Sequence, residues 1–358
     1  MNKAANAEKN TAGRSSCSHF EAQDYLSRDN SGAITDSIVY ANKKGILFHA
    51  DCLKMLSRIR SNSIDLVFTD PPFNLGKDYD TKAYDDRMSA EAYKNWCRRW
   101  MSELVRVVRP GGSLAIYSWP RWIIEVGSQL HIIPELEYRS LISLKMKSGF
   151  PIRGRLHPSN YCIIYYTKRG AKPTFNIVRY KTPICRHCGK EIRDYGGYRR
   201  KFERFEDKEG IPWIQISDFW EDTRPARQDK SRKSKINELP IHIPERIILM
   251  ASNEKEVVLD IFGGGGSTYQ AAQMHNRYWI GCEIGNIYSC LSRFATIWGK
   301  QEEEPVRKIK DCFNPKYLKP LLKKRKSENS YPIRDVQLLT NGRLIKKDML
   351  SKSRAIGY

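Results

Sequence analysis

The chain has 358 residues, with 62 Lys and Arg against 40 Asp and Glu, and so a formal net charge of +22. Hydrophobic residues make up 40% and aromatic residues 11%, which fits a globular chain with a real core and excludes a disordered one. No apolar run reaches the ~18 residues of a membrane span, no signal segment opens the sequence, and the nine cysteines are scattered; this argues against membrane and disulfide-rich secreted classes and for a reducing cytoplasm.

Residues 1–43 are polar and weakly periodic and read as a flexible extension, with a short helix at most near its end. Order is expected to begin with a strand over 45–51 that ends in Asp51, followed by a helix from Cys52. The next strand, over 64–69, runs into Asp70-Pro71-Pro72-Phe73. Two prolines fix φ twice and remove two backbone donors, so this is a stiff corner presenting an acid, a bare carbonyl and an aromatic ring. That trio suits a flat molecule bearing an exocyclic amine. Residues 75–88 read as a loop, 89–108 as a helix capped by Ser89 and stopped by Arg109-Pro110-Gly111-Gly112. Strands over 113–118, 140–146 and 161–167, with a helix over 122–130, continue an alternation that predicts a parallel, doubly wound α/β sheet.

Between 171 and 238 the periodicity fades, and cations interleave with aromatics, as in Tyr198, Arg199, Arg200, Lys201, Phe202 and Arg204. With the overall charge, this reads as an insertion carrying a nucleic-acid surface, cations for phosphates and planar groups for bases. The α/β pattern returns with a helix over 244–251 and a strand that ends at Asp260. Ile261-Phe262 and four glycines then lead through Ser267 and Thr268 into a helix, and a further strand ends at Glu283. Glycines at a strand-to-helix turn let a ligand approach the backbone, and an acid at the end of the next strand can accept ribose hydroxyls. No Gly-Lys-Ser/Thr follows, which argues against a nucleoside-triphosphate loop. Residues 288–299 read as a helix and 301–358 as a basic, poorly packed tail.

Asp-Pro-Pro-Phe after an apolar strand, with a later Asp-x-Phe-x-Gly-x-Gly-Ser-Thr, resembles the S-adenosylmethionine-dependent DNA amino-methyltransferases. The proline corner preceding the glycine turn resembles their permuted β-group, which includes adenine-N6 enzymes. The resemblance implies a Rossmann-like methyltransferase sheet in two halves, 44–170 and 239–300, around a target-recognition insertion at 171–238. It implies that Asp70 and the Pro71 carbonyl hold the target amine, that Pro72 stiffens the corner, and that Phe73 stacks on a base flipped from duplex DNA. It places Asp51 and Cys52 near the cofactor's adenine and Glu283 on its ribose. Asp260, Phe262, Gly264, Gly266, Ser267 and Thr268 surround the methionine end, with the 240–244 segment over it; Asp70 belongs to both groups. Ile261 stands where relatives usually have Pro, and Leu239 and Ile243 stand where many have the His and Lys of a His-Pro-x-x-Lys-Pro segment. An acid before the prolines favours adenine-N6; the cytosine-N4 enzymes more often carry Ser there. Cytosine-N4 methylation, an amino-methyltransferase of RNA or protein, and an inert DNA-binding relative are the alternatives. Oligomeric state, monomer or homodimer, is open. Cys185-Arg-His-Cys188 is half of a zinc knuckle without its second pair, and reads as two thiols in a loop rather than as zinc ligands.

Overall fold

The computed structural model describes residues 37–76, 86–145, 153–154, 156, 159–181, 187–189, 205–206, 212–221, 239–285, 287–298, 305–314, 336–338 and 344–346. In chain order these form β1 (Ser37–Asn42), β2 (Gly45–His49), α1 (Cys52–Leu56), β3 (Ile64–Thr69), α2 (Ala90–Val107), β4 (Val108–Ser118), α3 (Pro120–His131), β5 (Leu136–Lys145) and β6 (Asn160–Lys168). There follow β7 (Arg179–Lys181), β8 (Phe205–Glu206), β9 (Pro212–Gln215), β10 (Phe219–Trp220), α4 (His242–Ala251), β11 (Val257–Asp260), α5 (Ser267–Met274), β12 (Tyr278–Glu283), α6 (Tyr288–Trp298), α7 (Arg307–Asp311), β13 (Val336–Leu338) and β14 (Leu344–Lys346). One sheet runs in the order β1-β2-β12-β11-β3-β4-β6-β5-β10, while β7-β9-β8 and β13-β14 form small sheets of their own.

The centre of the large sheet is parallel: β3 lies between β11 and β4, with Leu66 opposite Val258 and Ser113. Every residue of β3 is buried, as expected of a strand covered on both faces. Its apolar run pairs with equally apolar β11, and α2 presents Tyr93, Cys97, Trp100, Leu104 and Val107 to the core. Ser89 Oγ accepts from the Ala92 N–H at 3.2 Å, which caps α2 as its position predicts.

Several expectations need correction. The sheet is mixed rather than wholly parallel: β6 runs antiparallel to both β4 and β5, and β1 antiparallel to β2. The strand over Ser37–Asn42 buries Ile38, Val39, Tyr40 and Ala41, so order begins ahead of the boundary at 44. α2 ends at Val107, within a residue of expectation, but Arg109 to Gly112 belong to β4, which begins directly at Val108 rather than at 113. There Lys168 Nζ takes up the Val105 and Val108 carbonyls at 2.7 and 2.9 Å, satisfying the helix end without a loop. The 171–238 region is not wholly separate from the main sheet, because β10 pairs with β5 and buries Trp220. Nor is the tail unpacked throughout: Ile309, Cys312 and Phe313 are buried, and Arg60 donates its N–H to the Cys312 carbonyl at 2.7 Å.

At the end of the sheet away from the strand-end acids, Arg109 joins the buried Asp65 to Glu256, while Asp65 Oδ2 also accepts the Val257 N–H at 2.7 Å. Arg109→Ala leaves a buried carboxylate with fewer partners and is expected to cost about 2 kcal/mol. Urea unfolding checks this: the midpoint falls while the slope stays constant.

Candidate active site

Neighbouring strand ends build the site. β3 ends one residue before Asp70 and β11 ends at Asp260, and the two strands are parallel neighbours. Thr69 Oγ1 donates to Asp260 Oδ1 at 3.1 Å, which ties the proline corner to the glycine turn. From β3 the sheet grows toward β4 and from β11 toward β12, in opposite directions, so a crevice opens at their carboxyl ends. Glu283 closes β12, and Asp51 follows β2 by two residues. In sheet order, Asp51, Glu283, Asp260 and Asp70 therefore stand in one row at the carboxyl ends of four adjacent strands. In a chain of net charge +22, such a row of acids suits a ligand that carries cationic and hydroxyl or amine donors.

On the glycine side, the backbone wraps around the acids. The Phe262 N–H donates to Asp260 Oδ1 at 3.0 Å, and Gly264 and Gly285 donate to the two oxygens of Glu283 at 2.7 and 2.6 Å. Gly264 and Gly266 have φ of +47° and +81°, left-handed values that a side chain would strain. Ser267 Oγ donates to the Leu239 carbonyl at 2.6 Å, bringing the segment before α4 against the start of α5. Thr268 is buried and hydrogen-bonds Asp260. The ring of Phe262 packs on Trp96 and Trp100 of α2, each 5.5 Å away between centroids. Asp51 caps α1, accepting from Leu53 and Lys54 at 3.0 and 3.1 Å, and Cys52 is buried beneath it.

Burial raises the pKa of Asp51, Glu283 and Asp260. Asp260 rises furthest, to about 7, because desolvation outweighs the stabilising bonds from Thr268, Phe262 and Thr69, and Glu283 adds to the rise.

On the corner side, Phe73 is 8% exposed and its ring lies 6.0 Å from both Tyr117 and Tyr161, which are 5.2 Å apart. Burial first, and then the Asp70 charge, raise the pKa of both phenols. The sequence reading anticipated one ring at this point; the structure assembles three. Tyr117 near the end of β4 and Tyr161 near the start of β6 were legible as strand residues, but their convergence needed the antiparallel β4–β6 register, in which Tyr117 lies opposite Ile163.

Cys188 is exposed, and Cys185 lies outside the described residues. Among the described residues, no group of three or more His, Cys, Asp or Glu side chains could hold a metal ion, and no helix is long and apolar enough to cross a membrane.

The chain is 39% identical over 286 residues to the type II methyltransferase M.BamHI of Bacillus amyloliquefaciens, a match covering 78% of this chain and 64% of that protein. The chain thus spans about two thirds of that relative's length. It is 29% identical over 242 residues to the type II methyltransferase M.HpaI of Haemophilus parainfluenzae, covering 68% and 71% of the two chains. The solved structure of the PvuII DNA methyltransferase (cytosine-N4-specific) shares the fold, with a TM-score of 0.52 at 16% identity over 77% of this chain and 92% of that one. The profile of the DNA methylase family matches residues 64–292, from the start of β3 into the first half of α6, and the chain belongs to that family.

Proposed function

We propose that the chain transfers a methyl group from S-adenosylmethionine to the exocyclic amine of a base in duplex DNA, with adenine N6 as the acceptor. The observation that carries this reading is the Thr69–Asp260 hydrogen bond, which sets the glycine turn and the proline corner side by side. The residues present fit the cofactor. The turn offers a backbone free of side chains over four glycines. Glu283 accepts the backbone N–H groups of Gly264 and Gly285, one on each oxygen, and a further one from Ile284, which leaves one of its four lone-pair sites for a ribose hydroxyl. Asp260, Phe262, Gly264, Gly266, Ser267 and Thr268 would hold the methionine end, and Asp51 and Cys52 the adenine. When bound, the cofactor supplies a methyl group on a sulfonium centre.

The chain's own work is positioning. An aromatic amine is a poor nucleophile because its lone pair is delocalised into the ring. Asp70 and the Pro71 carbonyl accept the two amine hydrogens, which pyramidalises the nitrogen and aims its lone pair. As the amine becomes cationic, the Asp70 carboxylate stabilises that charge and takes up the proton that the nitrogen releases. Phe73, Tyr117 and Tyr161 form the aromatic wall against which a flipped base lies. The basic and aromatic residues of 171–238 carry the duplex. The corner precedes the turn in the chain, which we read as the permuted arrangement.

A carboxylate at position 70 favours adenine, but the cytosine N4 amine offers the same two hydrogens. Incubation with tritiated S-adenosylmethionine and unmethylated duplex DNA, followed by digestion to nucleosides, tests the reading. Label in N6-methyladenine is expected. Label in N4-methylcytosine reassigns the base and keeps the site; label in C5-methylcytosine, or none, contradicts the proposal.

A further inference from the structure

We propose that Tyr93 and Asp86 are positioning residues for methyl transfer, fixing the Asp70–Phe73 corner from its two sides; this rests on the function proposed above. The corner has little means of holding itself. Pro71 and Pro72 have no N–H, and β3 has ended at Thr69. Its carbonyls and the N–H groups that follow are therefore points at which other parts of the chain can hold it.

Both are engaged by residues distant in the chain. The Tyr93 hydroxyl donates to the Pro72 carbonyl at 2.7 Å. Tyr93 is 1% exposed, stands in the first turns of α2, and packs against Trp96 and Trp122 with centroids 5.7 and 4.5 Å away. This bond ties the second proline's carbonyl to α2. On the far side, the Asp86 carboxylate, also 1% exposed, accepts the N–H groups of Asn74 and Leu75 at 2.8 and 2.9 Å. Its carbonyl accepts the Gly76 N–H at 2.8 Å. Asn74 is left-handed, with φ of +52°, and its side chain exchanges two hydrogen bonds with the Met88 backbone at 2.8 and 2.9 Å. A strained residue held by this many bonds is over-determined, and the chain immediately after Phe73 has one available path.

Neither side chain reaches the amine. Their effect passes through the corner, where a misplacement of about 1 Å can cost up to about 100-fold in rate. Tyr93→Phe keeps the ring and removes only the hydroxyl. At saturating S-adenosylmethionine and unmethylated DNA, its single-turnover rate is expected to fall about tenfold, with cofactor affinity within about twofold of wild type. Asp86→Asn, which replaces one acceptor oxygen with a donor, shifts the rate in the same direction and serves should Tyr93→Phe fail to fold. If Tyr93 acts through the corner, Tyr93→Phe costs less than about twofold when added to Asp70→Asn. A wild-type rate in Tyr93→Phe, or the full loss in the Asp70→Asn background, overturns the inference. Absence of methyl transfer by the wild-type chain is a different result; it removes the proposed function and this inference with it.

Discussion

Asp70→Ala is expected to lower the methyl-transfer rate by about 100- to 1,000-fold, the scale on which removing one preorganised polar group acts in a closed site. The loss falls on the chemical step. Without the carboxylate, one amine hydrogen has no acceptor, and the nitrogen stays planar and conjugated with its ring. Cofactor affinity is expected to change by less than about threefold, because the glycine turn, Glu283 and Asp260 keep their own bonds to the backbone and to Thr69. Asp70→Asn separates charge from geometry. Its amide oxygen still accepts one hydrogen bond, so it retains a measurable rate between those of wild type and alanine. Single-turnover kinetics, with cofactor binding followed by calorimetry, read both effects. If alanine at position 70 left the rate within about threefold of wild type, the corner would not be the amine site.

Asp260 gives the second large effect, and its signature is a pH dependence. Burial lifts its carboxyl from 3.8 to about 7 in the protein without cofactor. The sign follows from linkage. A raised folded-state pKa favours the neutral acid, so this group's contribution to stability is present below about pH 4 and is lost as pH rises through about 7. A cationic ligand reverses the preference by stabilising the carboxylate. Binding S-adenosylmethionine below pH 7 therefore releases a proton, and affinity is expected to rise by up to about tenfold per pH unit toward about pH 7 and then level off. Asp260→Asn removes the titrating group. Its affinity is expected to be about 10- to 100-fold weaker near neutrality, and the slope below pH 7 disappears. Calorimetric titrations in buffers of differing ionisation enthalpy check the proton release directly. A slope that survived in Asp260→Asn would assign the titration to another group, with Glu283 and Asp51, both raised by burial, next in line.

The two corners were legible because their signals are local. A pair of prolines and a run of glycines constrain φ wherever they occur, and each follows an apolar strand that β3 and β11 bear out. The ends of α2 were legible to within a residue or two from Ser89 and the apolar spacing. What escaped lacks periodicity. The strand Ser37–Asn42 is six residues beside a long polar stretch, and only its pairing with β2 makes it core. Phe313 is buried through a bridge to Ile59, a contact no local pattern announces. The same holds for the site. Tyr117 and Tyr161 converge through antiparallel pairing, and Tyr93 and Asp86 reach the corner through one and two side-chain bonds to backbone, which leave no spacing rule behind. The four acids are each visible as strand-end residues, yet their row follows from the sheet order, which the alternation of elements alone leaves undetermined.

The most direct test of the account is the modification pattern of a methylation-deficient host that expresses this chain, compared with one that expresses Asp70→Ala. Single-molecule sequencing of the genomic DNA reports base, position and sequence context together. The wild-type chain is predicted to leave an amino-methylated base, N6-methyladenine, within one defined recognition sequence, and Asp70→Ala to leave none. Unmodified DNA from the wild-type host, C5-methylcytosine, or the same pattern from both proteins would contradict it.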